Sequence, residues 1–225
     1  MQTNKVDFFD YRVFYKKTDI VKYTSHLDVN RCLQRALKRS KLPVWYSEGF
    51  NPHIYLNFAL PLSLGFESDY EILDFRLTQK IDFDTLKQVI NQAFPPGFEV
   101  FKIASPIKKP KEIVSADFEI YLNINKQLQQ AFKNFILLDE IKVEKKGKKG
   151  IKTINLKEFF TFKNDDIENG LYKIIINFPA GVSTNINPTL LIDNFFKSLN
   201  INDYLTKIKS MKRTAVYDEN NNLFI

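Results

Sequence analysis

Apolar and polar positions alternate along Tyr11–Lys17, with Tyr11, Val13 and Tyr15 on one face, and this period of two predicts a strand. The period then lengthens to that of a helix over His26–Ser40, where Val29, Cys32, Leu33, Ala36 and Leu37 form one apolar stripe. Ser25 is placed to cap this helix, with Asp28 three residues on, and Leu42-Pro43 ends it. A short extended piece at Val44–Tyr46, a turn at Glu48-Gly49, a strand near Ile54–Ala59 and a loop at Pro61–Gly65 follow. Tyr70–Leu77 reads as a strand. Asp82 caps a helix through Ala93 that Pro95-Pro96-Gly97 stops, and Glu99–Ile103 reads as the next strand. The order β-α-β-β-α-β is that of a ferredoxin-like split βαβ unit, an antiparallel sheet with both helices on one face.

Pro106-Ile107-Lys108-Lys109-Pro110-Lys111 then reads as an exposed linker, set at residues 106–112. Beyond it the pattern repeats in order, though not in letters. Asp117–Ile124 predicts a strand, Lys126–Leu137 a helix and Glu140–Glu144 a strand. A Lys/Gly loop at Lys145–Gly150 and extended pieces at Ile151–Leu156 and Lys157–Phe162 form an elaborated middle. Leu171–Phe178 predicts a strand, a helix opens at Pro188 after Asn187 and runs to Leu199, and Lys207–Val216 closes the series as a strand. The fold class expected is α+β: two tandem ferredoxin-like halves with antiparallel sheets, residues 1–105 and 113–225.

Composition narrows the setting. The single cysteine, Cys32, rules out an internal disulfide and an iron–sulfur cluster held by this chain alone, and favours a reducing, cytoplasmic location. No apolar run is long enough for a membrane span, and the polar, mixed-charge Met1–Asp10 is not a signal peptide, so no membrane contact is expected. The formal net charge of +7 fits an anionic partner, and its distribution is uneven. Residues 8–65 hold nine Lys/Arg against four Asp/Glu, whereas residues 66–105 hold four against seven.

The basic stretch also contains both histidines of the chain, His26 and His53. His26 stands in Ser25-His26-Leu27-Asp28 at a helix start, where free N–H groups and the helix dipole favour an anion. His53 closes Ser47-Glu48-Gly49-Phe50-Asn51-Pro52-His53, a run dense in turn-forming and hydrogen-bonding groups. Arg31, Arg35 and Arg39 recur every four residues as one stripe extended by Lys38 and Lys41, and guanidinium forks suit phosphate oxygens. Trp45, Tyr46 and Phe50 lie alongside, and aromatics next to cations stack on unpaired bases. Each of these features also has a plainer reading: capping, a solvated helix face, or core packing. His26, Asp28, Glu48 and His53 are ligand types, but no HExxH or CxxC spacing organises them, so neither a metal nor a cofactor is expected. The topology predicts that Ser25–Asp28 and Ser47–His53 meet at one end of the first sheet in a shared cleft.

Ser25-His26-Leu27-Asp28, Arg31, the Leu33…Arg39 helix, Leu42-Pro43, Tyr46–His53 and Pro61-Leu62…Leu64-Gly65 together resemble the radical-SAM-linked protein family of bacteria, across residues 10–105. Members of that family often read Pro-His-Pro at the turn, whereas here Ile54 follows His53. The resemblance implies a radical SAM enzyme as partner, supplying the cluster that this chain cannot hold. A fainter resemblance, of element order and basic helix, is to the tandem ferredoxin-like endoribonucleases that process CRISPR repeats. Those enzymes use histidine acid–base chemistry without metal, but the glycine-rich loop they usually carry near the C-terminus is missing from Lys212–Tyr217. The first expectation is therefore an RNA-binding accessory protein, with RNA bound by Ser25, Asp28, Arg31, Arg35, Arg39, Ser47, Glu48, Gly49, Phe50 and Asn51. The alternatives are a metal-independent endoribonuclease using His26 and His53, and a protein-binding scaffold for a radical SAM enzyme. The sequence fixes no oligomeric state.

Overall fold

The computed structural model describes residues 8–147 and 150–225. The chain divides into two units, Met1–Glu112 with Leu223–Ile225, and Ile113–Asn222. The last three residues thus belong with the first unit, not with the second half in which the sequence order places them.

The first unit consists of β1 (Phe9–Lys17), α1 (His26–Arg39), β2 (Leu56–Phe58), β3 (Glu67–Leu77), α2 (Phe83–Ala93) and β4 (Phe98–Ala104). Its strands pair in the order β4-β1-β3-β2, every pairing antiparallel, which is the split βαβ arrangement. The helices start where their caps dictate: Ser25 Oγ accepts the Asp28 N–H, and Asp82 accepts the Thr85 N–H. Alternate strand residues Tyr11, Val13, Tyr15, Leu73, Phe75 and Leu77 form the core with Val29, Leu33, Ala36 and Leu37 of α1 and Leu86 and Ile90 of α2. The stop after α2 needs its glycine: Gly97 has φ +91°, and a Cβ there would lie 2.7 Å from Val21 Cγ2.

The opposite face of this sheet is closed by charge. Arg12 is fully buried, and its Nε and Nη2 donate to the Asp74 carboxylate at 2.7 and 2.8 Å. Arg12 Nη2 also donates to Lys108 O, and the Phe224 ring lies 4.9 Å from the guanidinium carbon. Tyr70 OH donates to Phe224 O at 2.9 Å. Burial pushes the Tyr70 phenol up to about 12, with the Arg12 charge acting against it. The expected linker therefore has a fixed point at Lys108, and it contains a 3₁₀ turn at Pro110–Glu112.

The second unit runs β5 (Ile113–Leu122), α3 (Lys126–Ile136), β6 (Lys142–Gly147), β7 (Gly150–Asn155), β8 (Thr161–Glu168), β9 (Leu171–Pro179), α4 (Thr189–Ser198) and β10 (Ile208–Asp218). The order β10-β5-β9-β8 repeats the antiparallel split arrangement, and β6 and β7 pair apart from it as a hairpin inserted before the second strand. The extended piece expected at Lys157–Phe162 is instead a 3₁₀ turn at Leu156–Glu158 leading into β8. Lys148 and Lys149 of the Lys/Gly loop lie outside the described residues. Helix α4 begins one residue after Pro188, and Asn187 Oδ1 accepts the Thr189 N–H at 3.0 Å. The outer face of this sheet carries ion pairs. Asp117 accepts from Lys163 Nζ, Tyr217 OH and Asn177 Nδ2 at 2.6–2.8 Å, and Lys173 bridges Glu119 and Glu168. Among the described residues no helix is long and apolar enough to cross a membrane.

Candidate functional site

The site grows from a break in pairing beside β3. Val44 lies opposite Leu77, and Trp45 N–H donates to Arg76 O at 3.0 Å. The next ladder pair is Leu56 opposite Phe75. Two steps along β3 thus correspond to twelve along its partner, so ten residues leave the sheet as an ear. The separate extended piece and strand expected at Val44–Tyr46 and Ile54–Ala59 are the two stems of this one interrupted strand.

The ear is closed by its own sequence. Tyr46 bridges Ile54, Ser47 N–H donates to His53 O at 2.8 Å, and His53 N–H donates to Ser47 Oγ at 3.1 Å. His53 Nδ1 lies 2.8 Å from Ser47 Oγ and 3.3 Å from Asn51 O. Gly49 turns the chain at φ +119°, a conformation that side chains disfavour. Phe50 stands at the tip with 104% relative exposure, and Glu48, Asn51 and His53 are exposed around it. Folding gains nothing from an apolar ring held wholly in water.

The stems of the ear are clamped by a cation. The Arg76 guanidinium carbon lies 3.9, 5.4 and 4.3 Å from the ring centroids of Phe8, Trp45 and Tyr55, and its Nε donates to Asp10 Oδ1 at 2.8 Å. Trp45 and Tyr55 flank the ear on either side, so Arg76 pins both of its ends. Sequence reasoning missed Arg76 because its partners, at positions 8, 10, 45 and 55, are brought together only by the sheet register. The one local signal was a lone basic residue in a strand whose other charges, Glu67, Asp69, Glu71 and Asp74, are all acidic.

Helix α1 supplies the positive charge. Arg31, Arg35, Lys38 and Arg39 are exposed at spacings of three and four, as neighbours on one face. Arg31 lies 3.7 Å from Asp28, an exposed pair of small energetic weight. Among the described residues Arg35 and Arg39 make no ion pair. Lys38 Nζ lies 5.9 Å from the centre of the Tyr46 ring, which joins the stripe to the root of the ear.

The other expected cluster is built differently. Ser25 Oγ both caps Asp28 N–H and donates to Asp28 Oδ2 at 2.7 Å, so a carboxylate already occupies the helix N-terminus where an anion was expected. His26 is exposed and meets the Phe58 ring edge-on at 4.9 Å. Lys38, beside the root of the ear, is twelve residues beyond His26, about 18 Å along α1. His26 and His53 have separate partners, the Phe58 ring for the one and Ser47 and Asn51 for the other. Among the described residues no group of three or more His, Cys, Asp or Glu is placed to hold a metal ion.

A family model described as "uncharacterized protein conserved in bacteria (DUF2344)" matches residues 10–188. The chain belongs to that family. The match spans the first unit's six strands and helices, the ear and most of the second unit. No curated protein matches the sequence. Two solved structures align over 92% of this chain and 99% of theirs, each at 12% identity. One is an unknown protein from Galdieria sulphuraria, with a TM-score of 0.28. The other is a CRISPR-associated protein from Thermus thermophilus, with a TM-score of 0.24. Similarity at that level carries no conclusion about what this chain does.

Proposed function

We propose that this protein is an RNA-binding accessory protein that works with a radical SAM enzyme in RNA or ribosome-related modification. The observation that carries the RNA reading is the wholly exposed Phe50 on an ear whose root abuts the cationic face of α1. An aromatic platform beside unpaired guanidinium groups is the combination that single-stranded nucleic acid requires: stacking for bases and countercharge for phosphates. The partnership rests on the motif resemblance and on Cys32, a lone half-buried thiol that cannot ligate a cluster. Paired cleavage by His26 and His53 needs both imidazoles on one phosphodiester, whereas His26 packs edge-on against Phe58 and His53 is tied to Ser47 within the ear.

Filter binding of structured RNA across a salt series tests the reading. Affinity should fall steeply with salt, and replacing Arg31, Arg35 and Arg39 by Ala should lower the slope by up to about three units, just under one per lost phosphate contact. Unchanged affinity in the triple variant would remove the stripe from the interface. Retention of a radical SAM enzyme, with no RNA, by the tagged protein would favour the scaffold reading instead.

A further inference from the structure

We infer that the ear receives one unpaired ribonucleotide, stacking its base on Phe50 and reading its ribose through His53 Nε2; this rests on the RNA-binding reading above. The argument starts from the imidazole. Asn51 O, 3.3 Å from Nδ1, is an acceptor only. A bare Nδ1 could accept the Ser47 O–H at 2.8 Å but would set its lone pair against that of Asn51 O, whereas an Nδ1–H donates to both oxygens. Ser47 Oγ accepts the His53 backbone N–H as well, so the ring is held both at its nitrogen and at its root. The neutral ring then carries its lone pair on Nε2, the atom left for a ligand on this exposed residue.

A lone pair on Nε2 accepts a hydrogen bond, so the ligand group it meets must be a donor. Phosphate oxygens are acceptors and do not serve. The ribose 2′-hydroxyl is a donor, and it is the group that separates RNA from DNA. Phe50 is three residues away on the same closed loop, and its ring can stack only on a base whose face is free, which excludes duplex. The phosphates on either side of that nucleotide fall toward Lys38, the cation beside the ear's root, and its neighbours on α1, Arg35 and Arg39. Glu48, the one acidic side chain on the ear, disfavours a phosphate at the tip itself and so places the backbone on the helix side. Ser47 is in this account a positioning residue, acting through His53.

Fluorescence anisotropy with a labelled single-stranded RNA, the same sequence as DNA, and the RNA duplex provides the test on the full chain. The single-stranded RNA should bind best, and Phe50→Ala should weaken it about 5- to 100-fold. His53→Ala should cost about 2- to 10-fold on RNA and nothing on DNA. In a ¹⁵N long-range histidine spectrum His53 should show the Nδ1–H tautomer, and Ser47→Ala should shift the ring toward a mixture while leaving His26 unchanged. RNA binding that is indifferent to Phe50→Ala, or equal for RNA and DNA, would overturn this inference and leave the RNA-binding reading intact. An Nε2–H tautomer in the native protein would overturn the role of His53 and Ser47 in the same way. No binding of any nucleic acid would overturn both.

Discussion

The two units share one strand order and handle an insertion in opposite ways. The first breaks its second strand, and the ten-residue ear leaves from Trp45 and returns at Leu56, with both stems still held by β3. The second leaves β8 continuous and places the β6–β7 hairpin in the connection before it. A loop cut into a strand inherits two fixed ends from the ladder, and here a third restraint from Arg76. A hairpin in a connection inherits none of these. The outer faces differ in the same sense. One is sealed over a buried pair, Arg12 and Asp74, while the other is a partly wetted lattice of lysines and carboxylates. The same topology thus serves as a rigid mount in one unit and as a polar surface in the other.

The largest effect expected from this contrast is on stability. Arg12→Ala leaves Asp74 buried without its partner and should lower the unfolding free energy by about 3–5 kcal/mol. Lys163→Ala leaves Asp117 with Tyr217 and Asn177 as donors and should lower it by about 1 kcal/mol or less. Urea unfolding of both variants decides the matter, and equal losses would erase the distinction between the faces. A smaller effect is expected at the clamp. Arg76→Ala should cost about 1–2 kcal/mol and speed amide exchange at Ser47 and His53, with β8 and β9 unaffected. The smallest concerns the ear itself. His53→Ala should lower the unfolding free energy by no more than a surface change does, below about 1 kcal/mol in urea unfolding, because the side chain covers no core.

The first unit was legible because its elements carry strong local signals. The caps Ser25 and Asp82, the stop at Pro95-Pro96-Gly97 and the stripe Val29, Leu33, Ala36 and Leu37 all act where the sequence places them. Strand β8 was mostly missed, since Lys163-Asn164-Asp165-Asp166 buries almost nothing and sits last in the strand order. For the site, the residues of the ear were legible as a turn rich in hydrogen-bonding groups, but the relation between its two stems was not. That relation depends on a register jump of ten residues, and no periodicity reports where a strand resumes. Arg76 shows the same limit, because a clamp assembled from four distant segments leaves no pattern along the chain.

The return of Phe224 to the first unit has a consequence for the time course of synthesis. Arg12 and Ile225 are 213 residues apart, yet they meet on one face. At about 5–20 residues per second, a ribosome delivers Phe224 roughly 10–40 s after Arg12. The six elements of the first unit are complete once Ala104 is made, and for the roughly 6–24 s that remain their outer face waits for its cover. The nascent chain therefore passes through a stage in which the Arg12–Asp74 pair is open to water or to a chaperone, and sealing of the amino-terminal unit comes after the carboxy-terminal one has been made.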